Sequence, residues 1–390
     1  MIHWFLIDPL LVISGGPAGL EIRPSYYIKG DNFIMATFEV TVETITVHPH
    51  PNADRLEYAQ VGLYRSVIPK GQYRTGEDVL YIPEFAVLPE NLIQTLGLEG
   101  KLAGSKKNRV KPVQLRGLVS QGLVAPVTVL GDITPERGVD YSETLNIVKW
   151  EPEIPASLSG NVTAAPDLVR WIDIENIKKF PDMFVEGEMV VVDEKVHGTA
   201  TCVTVMNPAG DTPEVFVTSK GLGSKNLALV EDPKNVYWRM LHEHNLVGFA
   251  AAITREHPAT KVGVFGETYG SIQDLHYGLP GKLGFILFDI QIVGEDGNRE
   301  WLPPEEVERL AALNNVPLAP RLYEGPYSLE TVEKLAYGPE QVSGKETHIR
   351  EGVVVRPAAS NPDIRYNDGR KIGKYVSDDY LTRKNGTEYN

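Results

Sequence analysis

The 390-residue chain has a single cysteine, Cys202, which excludes a disulfide framework and any multi-cysteine zinc or iron–sulfur site. It has no apolar run near the roughly 18–20 residues that a membrane-spanning helix needs. Positive charge is short overall: the formal net charge is −14, which argues against coating nucleic acid by bulk charge but leaves room for a local basic groove. Residues 4–13 are apolar but lack a basic n-region and carry Asp8 and Pro9, so they do not read as a signal peptide. The cytoplasm is the expected compartment. Ile13–Leu20 (ISGGPAGL) falls short of a dinucleotide-binding turn, because Ser14 stands where a glycine is needed and Pro24 falls where the helix should run. Residues 1–34 read as an extension or a start-site artefact, with Met35 opening the patterned sequence.

What is present is ordinary globular composition, 42% hydrophobic and 23% charged, over a length that suits two or three domains. From Met35 onward short strands alternate with turns. FEVTVETITV (38–47) has the period of a half-buried strand, DVLYIPEFAVLP reads as another, and VKPVQLRGLVSQGLVAP (110–126) supplies closing strands. Strands at this spacing without long helices predict a small closed or partly closed barrel over 35–150. Residues 101–131 contain Lys101, Lys106, Lys107, Arg109, Lys111 and Arg116 and no acidic residue. They form a candidate phosphate-contact surface, with Lys106, Lys107, Arg109 and Lys111 at its centre; a solvated loop is the competing reading.

Residues 151–166, rich in Pro, Ala and Ser, read as a linker, and 167–390 as a second, α+β domain built on antiparallel sheet. Helices are predicted over 304–313 and 328–336 from their apolar spacing. Within this domain Glu194-Lys195-Val196-His197-Gly198-Thr199 joins two apolar strands. A lysine at the end of a buried strand can serve as a nucleophile once desolvation and neighbouring cations favour its neutral form. Downstream stand Thr218-Ser219-Lys220-Gly221, Phe265-Gly266-Glu267-Thr268-Tyr269-Gly270, Phe285–Ile290, Arg350-Glu351-Gly352 and Arg370-Lys371-Ile372-Gly373-Lys374-Tyr375. A lysine nucleophile, two strand-end carboxylates, an aromatic and trailing cations are the parts that nucleotidyl transfer requires.

In order and spacing these six segments resemble motifs I, Ia, III, IIIa, IV and V of the covalent nucleotidyltransferase superfamily, which contains polynucleotide ligases and capping enzymes. His197, where DNA ligases and capping enzymes usually have Asp, is similar to the RNA ligase branch. Pro49–Leu56 and LRGLVSQGLVAP resemble the OB-fold modules that bind tRNA in some synthetases. An OB-like module ahead of the transferase is similar to the bacterial RNA ligase family first defined in Deinococcus. The resemblance implies an N-terminal OB-like β-barrel followed by an antiparallel-sheet, ATP-grasp-like nucleotidyltransferase. It implies an ATP-dependent RNA ligase that seals 3′-hydroxyl and 5′-phosphate ends through lysyl–AMP, with Mg²⁺ or Mn²⁺, on RNA or RNA-ended nicked duplexes. No membrane and no obligate protein partner are expected.

Carried over by position, Lys195 would form lysyl–AMP, with His197 beside it as a catalytic residue. Glu194, Lys220, Glu267, Phe288, Lys371 and Lys374 would bind the nucleotide: Glu267 at the ribose, Phe288 on the adenine, the lysines on phosphate. Glu351 would hold the metal. The family spaces its motif V lysines two apart, whereas Gly373 takes that second place here, which leaves open which of Lys371 and Lys374 serves. A DNA ligase, a GTP-using capping enzyme and a non-catalytic RNA-end or tRNA-binding protein are the alternatives. His242 and His244 lack metal-ligand spacing, His48 and His50 read as turn residues, and Gly278–Lys282 falls short of a Walker A loop.

Overall fold

The computed structural model describes residues 37–151, 159–359, 366, 370–384 and 386. The extension 1–34, with Ile13–Leu20, and the middle of the expected linker lie outside them. Among the described residues no helix is long and apolar enough to cross a membrane.

The amino-terminal barrel is made as its patterning predicts, with one refinement. The expected strand 38–47 is two, Thr41–Thr44 and Thr46–Pro49, hinged at the buried Ile45. Thr41–Thr44 pairs with Asp78–Ile82, and Thr46–Pro49 pairs with Leu56–Val61, so the chain changes sheet at the hinge and makes the barrel corner. Leu123–Pro126 extends the first sheet and Tyr64–Pro69 the second. Val42, Leu80, Ile82 and Ala125 fill one core, and Ile45, Ala59, Ile68 and Val79 a second.

The second domain is two sheets face to face. The seven-stranded sheet is antiparallel and centres on Thr199–Met206, Lys261–Gly270 and Leu283–Val293. Val203, Val205, Val262 and Val264 point to its outer face, against Val236–Glu243, Leu246–Ile253 and Pro304–Leu313. The last helix follows its sequence pattern, with Pro304 at the first turn, Glu305 and Glu306 complementing the helix dipole, and Val307, Leu310 and Ala311 buried. Helix Leu329–Ala336 is also where the spacing put it, capped by Ser328, whose hydroxyl accepts the Thr331 N–H at 3.1 Å. The helices at 236 and 246 were not visible in the pattern. Leu246–Ile253 is apolar nearly all round, so no polar face marks its period.

The five-stranded sheet holds Met189–Lys195 between Gly352–Pro357 and Arg321–Pro326. It is antiparallel except at Glu175–Asn176, which lies parallel to Gly373–Lys374. Val190, Val192, Val353 and Val355 pack outward with Val332 and Ala336. Alternate residues of the same strands therefore face the other sheet.

One expectation is corrected. The linker does not extend to residue 166, since Val162–Ala164 is already an edge strand paired with Leu227–Leu229. The barrel is docked against the second domain. The Leu63 N–H donates to the Lys178 carbonyl at 2.8 Å, and Gly62, at φ +56°, admits that carbonyl where a Cβ would sit 2.7 Å from it. Lys178 is 2% exposed and bonds Gln121 of the barrel at 3.0 Å and Asp378 at 2.9 Å.

Candidate active site

The site lies where the two sheets face each other, at the end of Met189–Lys195. Lys195 pairs in register with Gly352, and its ammonium meets the Glu351 carboxylate at 2.5 Å. Glycine is required on the partner strand, because a Cβ at 352 would sit 2.2 Å from the Tyr375 carbonyl. Glu351 is 3% exposed, a carboxylate held dry beside a lysine that keeps contact with solvent.

The opposing sheet contributes Glu267, which pairs with Ala200 and Ile286 and shares the inward face with Cys202. Phe288 is aimed by a bulge: the register slips between Phe265 and Gly266, leaving Phe288 unopposed. Its ring meets Trp171 edge-on at 5.0 Å. Beneath it, Arg356 crosses from one sheet to the other, donating to the Asp193 carboxylate at 2.9 Å and to the Phe288 carbonyl at 3.2 Å.

Lys220 and Lys374 converge on Asp173, at 2.8 and 3.8 Å. Burial alone would raise the Asp173 carboxyl, but Lys374, Lys220 and Lys149 together hold it well below the usual carboxylate range. Lys149 is pushed down by its own burial, and the other two lysines add to that. Sequence reading missed Asp173, Trp171 and Lys149. They stand beside the linker in no motif, and only the fold brings them to the cleft.

Four expected site residues are placed elsewhere. Lys371 gives its ammonium to Glu188 at 2.8 and 2.6 Å and is 8% exposed. Glu188 is seven residues back along the strand from Lys195, roughly 23 Å at an extended rise. Geometry thus separates the two motif V lysines: Lys374 stands at the cleft and Lys371 closes an ion pair at the far end. Glu194 shares its face with Val190 and Val192, away from Lys195, and accepts the Gln341 N–H at 2.7 Å. It is a buried support of the strand, not a group lining the cleft. His197 is 4% exposed; its Nε2 meets Asp274 at 3.0 Å and its Nδ1 the Tyr380 hydroxyl at 2.8 Å. Both ring nitrogens are engaged by protein side chains. In the barrel, Arg109 is 5% exposed and stacks on Trp150 at 3.9 Å, so it belongs to the core and leaves the basic surface. Lys106 and Lys107 are exposed and Lys111 half-buried. His50 serves its turn, accepting the Asn52 N–H at Nδ1, 3.1 Å, and meeting the Leu115 carbonyl at Nε2.

Glu194 yields a test of its placement. Burial, opposed by the Gln341 amide and Arg350, pushes its carboxyl from 4.5 up to about 7. Between those values the folded chain keeps a proton that the unfolded chain has released. Stability from this group is therefore full below about pH 4.5 and falls as pH rises to about 7. Glu194→Gln should flatten that part of the melting-temperature profile; an unchanged slope would put Glu194 in contact with water.

The RNA ligase family model matches residues 188–376, and a model of an OB-fold domain matches residues 39–127. No curated protein matches the sequence. Among solved structures, the chain is similar to the Naegleria gruberi RNA ligase with pyrophosphate, at 24% identity and TM-score 0.71, covering 89% of this chain and 98% of that one. It is similar to an apo mutant of that ligase at 25% identity, TM-score 0.72 and the same coverage. A further mutant, with ATP and Mn, matches at 25% identity and TM-score 0.71, over 88% of this chain and 98% of that one. Sequence and architecture agree on both sides of the linker: residues 188–376 are an RNA ligase domain, and an OB-fold domain stands ahead of it.

Proposed function

We propose that the chain uses ATP to seal 3′-hydroxyl and 5′-phosphate ends in nicked, RNA-containing duplexes, through a lysyl–AMP at Lys195. The observation that carries this reading is Lys195 at a strand end, with Glu351 against its amine and Glu267 on the facing sheet. The Lys195 amine attacks the α-phosphorus, a P–N bond forms, and pyrophosphate leaves with the broken P–O bond. AMP then passes to a 5′-phosphate, and a 3′-hydroxyl displaces it. Lys220 and Lys374 already hold a carboxylate between them, and phosphate oxygens offer the same charge-assisted bonds.

The donors fit a divalent cation of the Mg²⁺ or Mn²⁺ kind. Glu351 is a buried oxygen ligand, and the described residues contain no cage of three or more acidic, His or Cys side chains. Such an ion commonly takes one or two protein carboxylates and completes its shell with water and phosphate. It supplies neutralisation of charge on the transferring phosphoryl group.

The test is incubation with labelled ATP or GTP and Mg²⁺, then denaturing electrophoresis, followed by sealing assays on nicks with RNA or DNA at the 3′-hydroxyl. Labelling by ATP and faster sealing of RNA-ended nicks are expected. Labelling by GTP alone would replace this reading with capping, equal rates on all-DNA nicks would replace it with DNA ligation, and no label would leave a binding protein.

For the barrel, the proposed role is grip on the nucleic acid through Lys106, Lys107 and Lys111. Replacing all three with Ala should weaken duplex binding and lower the slope of log affinity against log salt by about 2–3, near 0.9 for each phosphate no longer neutralised. An unchanged slope in a salt titration would place the nucleic acid on another surface.

A further inference from the structure

We infer that the short helix Asp378–Leu381 couples docking of the OB-fold domain to the alignment of Lys195, with Tyr380 as a positioning residue for adenylylation. The inference rests on the lysyl–AMP reading. The helix is four residues long and touches the active site on both flanks of the nucleophile. At its cap, the Ser377 N–H donates to the Glu351 carbonyl at 3.0 Å, and the Ser377 hydroxyl donates to the Arg350 and Glu351 carbonyls. Glu351 is the residue whose carboxylate meets Lys195. One turn on, the Tyr380 hydroxyl bonds Nδ1 of His197, two residues beyond Lys195.

The His197 end is held as firmly as the cap. A carboxylate can only accept, so Nε2 carries a proton toward Asp274, and Nδ1 shares a hydrogen bond with the Tyr380 hydroxyl. Asp274 is itself gripped by Arg383, at 2.7 and 3.0 Å, and the Arg383 guanidinium lies 3.6 Å over the Tyr380 ring. The His197 backbone N–H is taken by the Tyr277 hydroxyl at 2.6 Å. The loop that follows the nucleophile is thus tied at His197 to this helix, to Asp274 and to Tyr277.

The first helical residue faces the other domain. Asp378 accepts from Arg65 of the barrel and from the buried Lys178, which in turn bonds the Gln121 side chain of the barrel. The OB-fold domain thus meets this turn at Asp378, Glu351 meets it at the adjacent cap residue Ser377, and His197 meets it one turn on at Tyr380. Because the helix is short and hydrogen-bonded throughout, a shift at Asp378 moves Ser377 and Tyr380 with it. Small displacements of this kind matter to chemistry, since misplacement of a reacting group by about 1 Å can cost on the order of 100-fold.

The test uses the full chain with Tyr380→Phe, Arg65→Met and the double variant, and measures the rate and ATP dependence of Lys195 adenylylation together with thermal stability. Tyr380→Phe removes one hydroxyl and should lower kcat by about tenfold with the KM for ATP unchanged, the split expected when orientation rather than binding is lost. Arg65→Met, more than a domain's width away in sequence, should lower kcat too. The double variant should be no slower than Tyr380→Phe, because both act through one helix. A native rate in either single variant, a loss confined to KM, or a double variant whose loss is the product of the two singles would overturn the coupling. Absence of any adduct in the native chain would instead overturn the lysyl–AMP reading itself.

Discussion

Lys195→Arg should abolish the covalent nucleotide label, with the loss limited only by the detection floor. Arginine keeps the length and the charge and can still meet Glu351. Its guanidinium stays protonated at any workable pH and offers no lone pair for attack on phosphorus. The pairing of strand Met189–Lys195 with Gly352–Pro357 does not depend on this side chain, so the variant should melt near the native temperature. Sealing of a nick whose 5′ end already carries AMP should persist in part, since that step needs no lysine nucleophile. A label of native intensity on Lys195→Arg would move the nucleophile to another residue.

Arg356→Met should produce the largest loss of stability. Arg356 is 8% exposed and bridges Asp193 of one sheet to the Phe288 carbonyl of the other, with Asp289 at 3.7 Å. Removing one partner of a buried pair leaves uncompensated charge and commonly costs about 3–5 kcal/mol. Here the cost should fall near the lower figure, because Asp193 keeps Arg321 at 2.6 Å and Asp289 keeps Arg370. For a domain of this size roughly 3 kcal/mol lowers the melting temperature by about 6–12 °C. Activity should fall as well, since Arg356 fixes the backbone of the bulged Phe288. Thermal unfolding with the adenylylation assay checks both, and a melting temperature within a degree of native would show that the sheets do not rely on this crossing.

The parts legible in the sequence were those that local pattern or a motif encodes. Alternation marked the barrel strands, apolar spacing marked the helices at 304 and 329, and six short segments marked the ligase domain. Parity of residues along a strand then decided what motifs could not. Glu194 is adjacent to Lys195 and faces the opposite way. Lys371 and Lys374 sit three apart, and only the partners Glu188 and Asp173 show which of them stands at the cleft. Arg109 lay in a basic run, yet Trp150, 41 positions later, draws it into the core. Asp173, Tyr380 and Asp274 were hidden for a related reason. Their roles exist only in contacts between distant parts of the chain, as in the 183-residue span between His197 and Tyr380.

The same distinction bears on how the domains work together. All the residues assigned to adenylylation lie beyond the linker, which on sequence alone suggests an independent transferase domain. The docked barrel changes that expectation. Removing it would expose Lys178 and leave Asp378 without Arg65, so a truncated chain should adenylylate slowly rather than normally.

The central claim, that Lys195 carries AMP on the way to a sealed RNA strand, is tested most directly by intact-mass and peptide-mass measurement of the native chain. After ATP and Mg²⁺, the chain should gain one AMP on the peptide containing Lys195. The adduct should then vanish when a nicked duplex with an RNA 3′-hydroxyl and a 5′-phosphate is added, as sealed strand accumulates. An adduct on a different residue, or one that persists while sealing proceeds, would contradict the account.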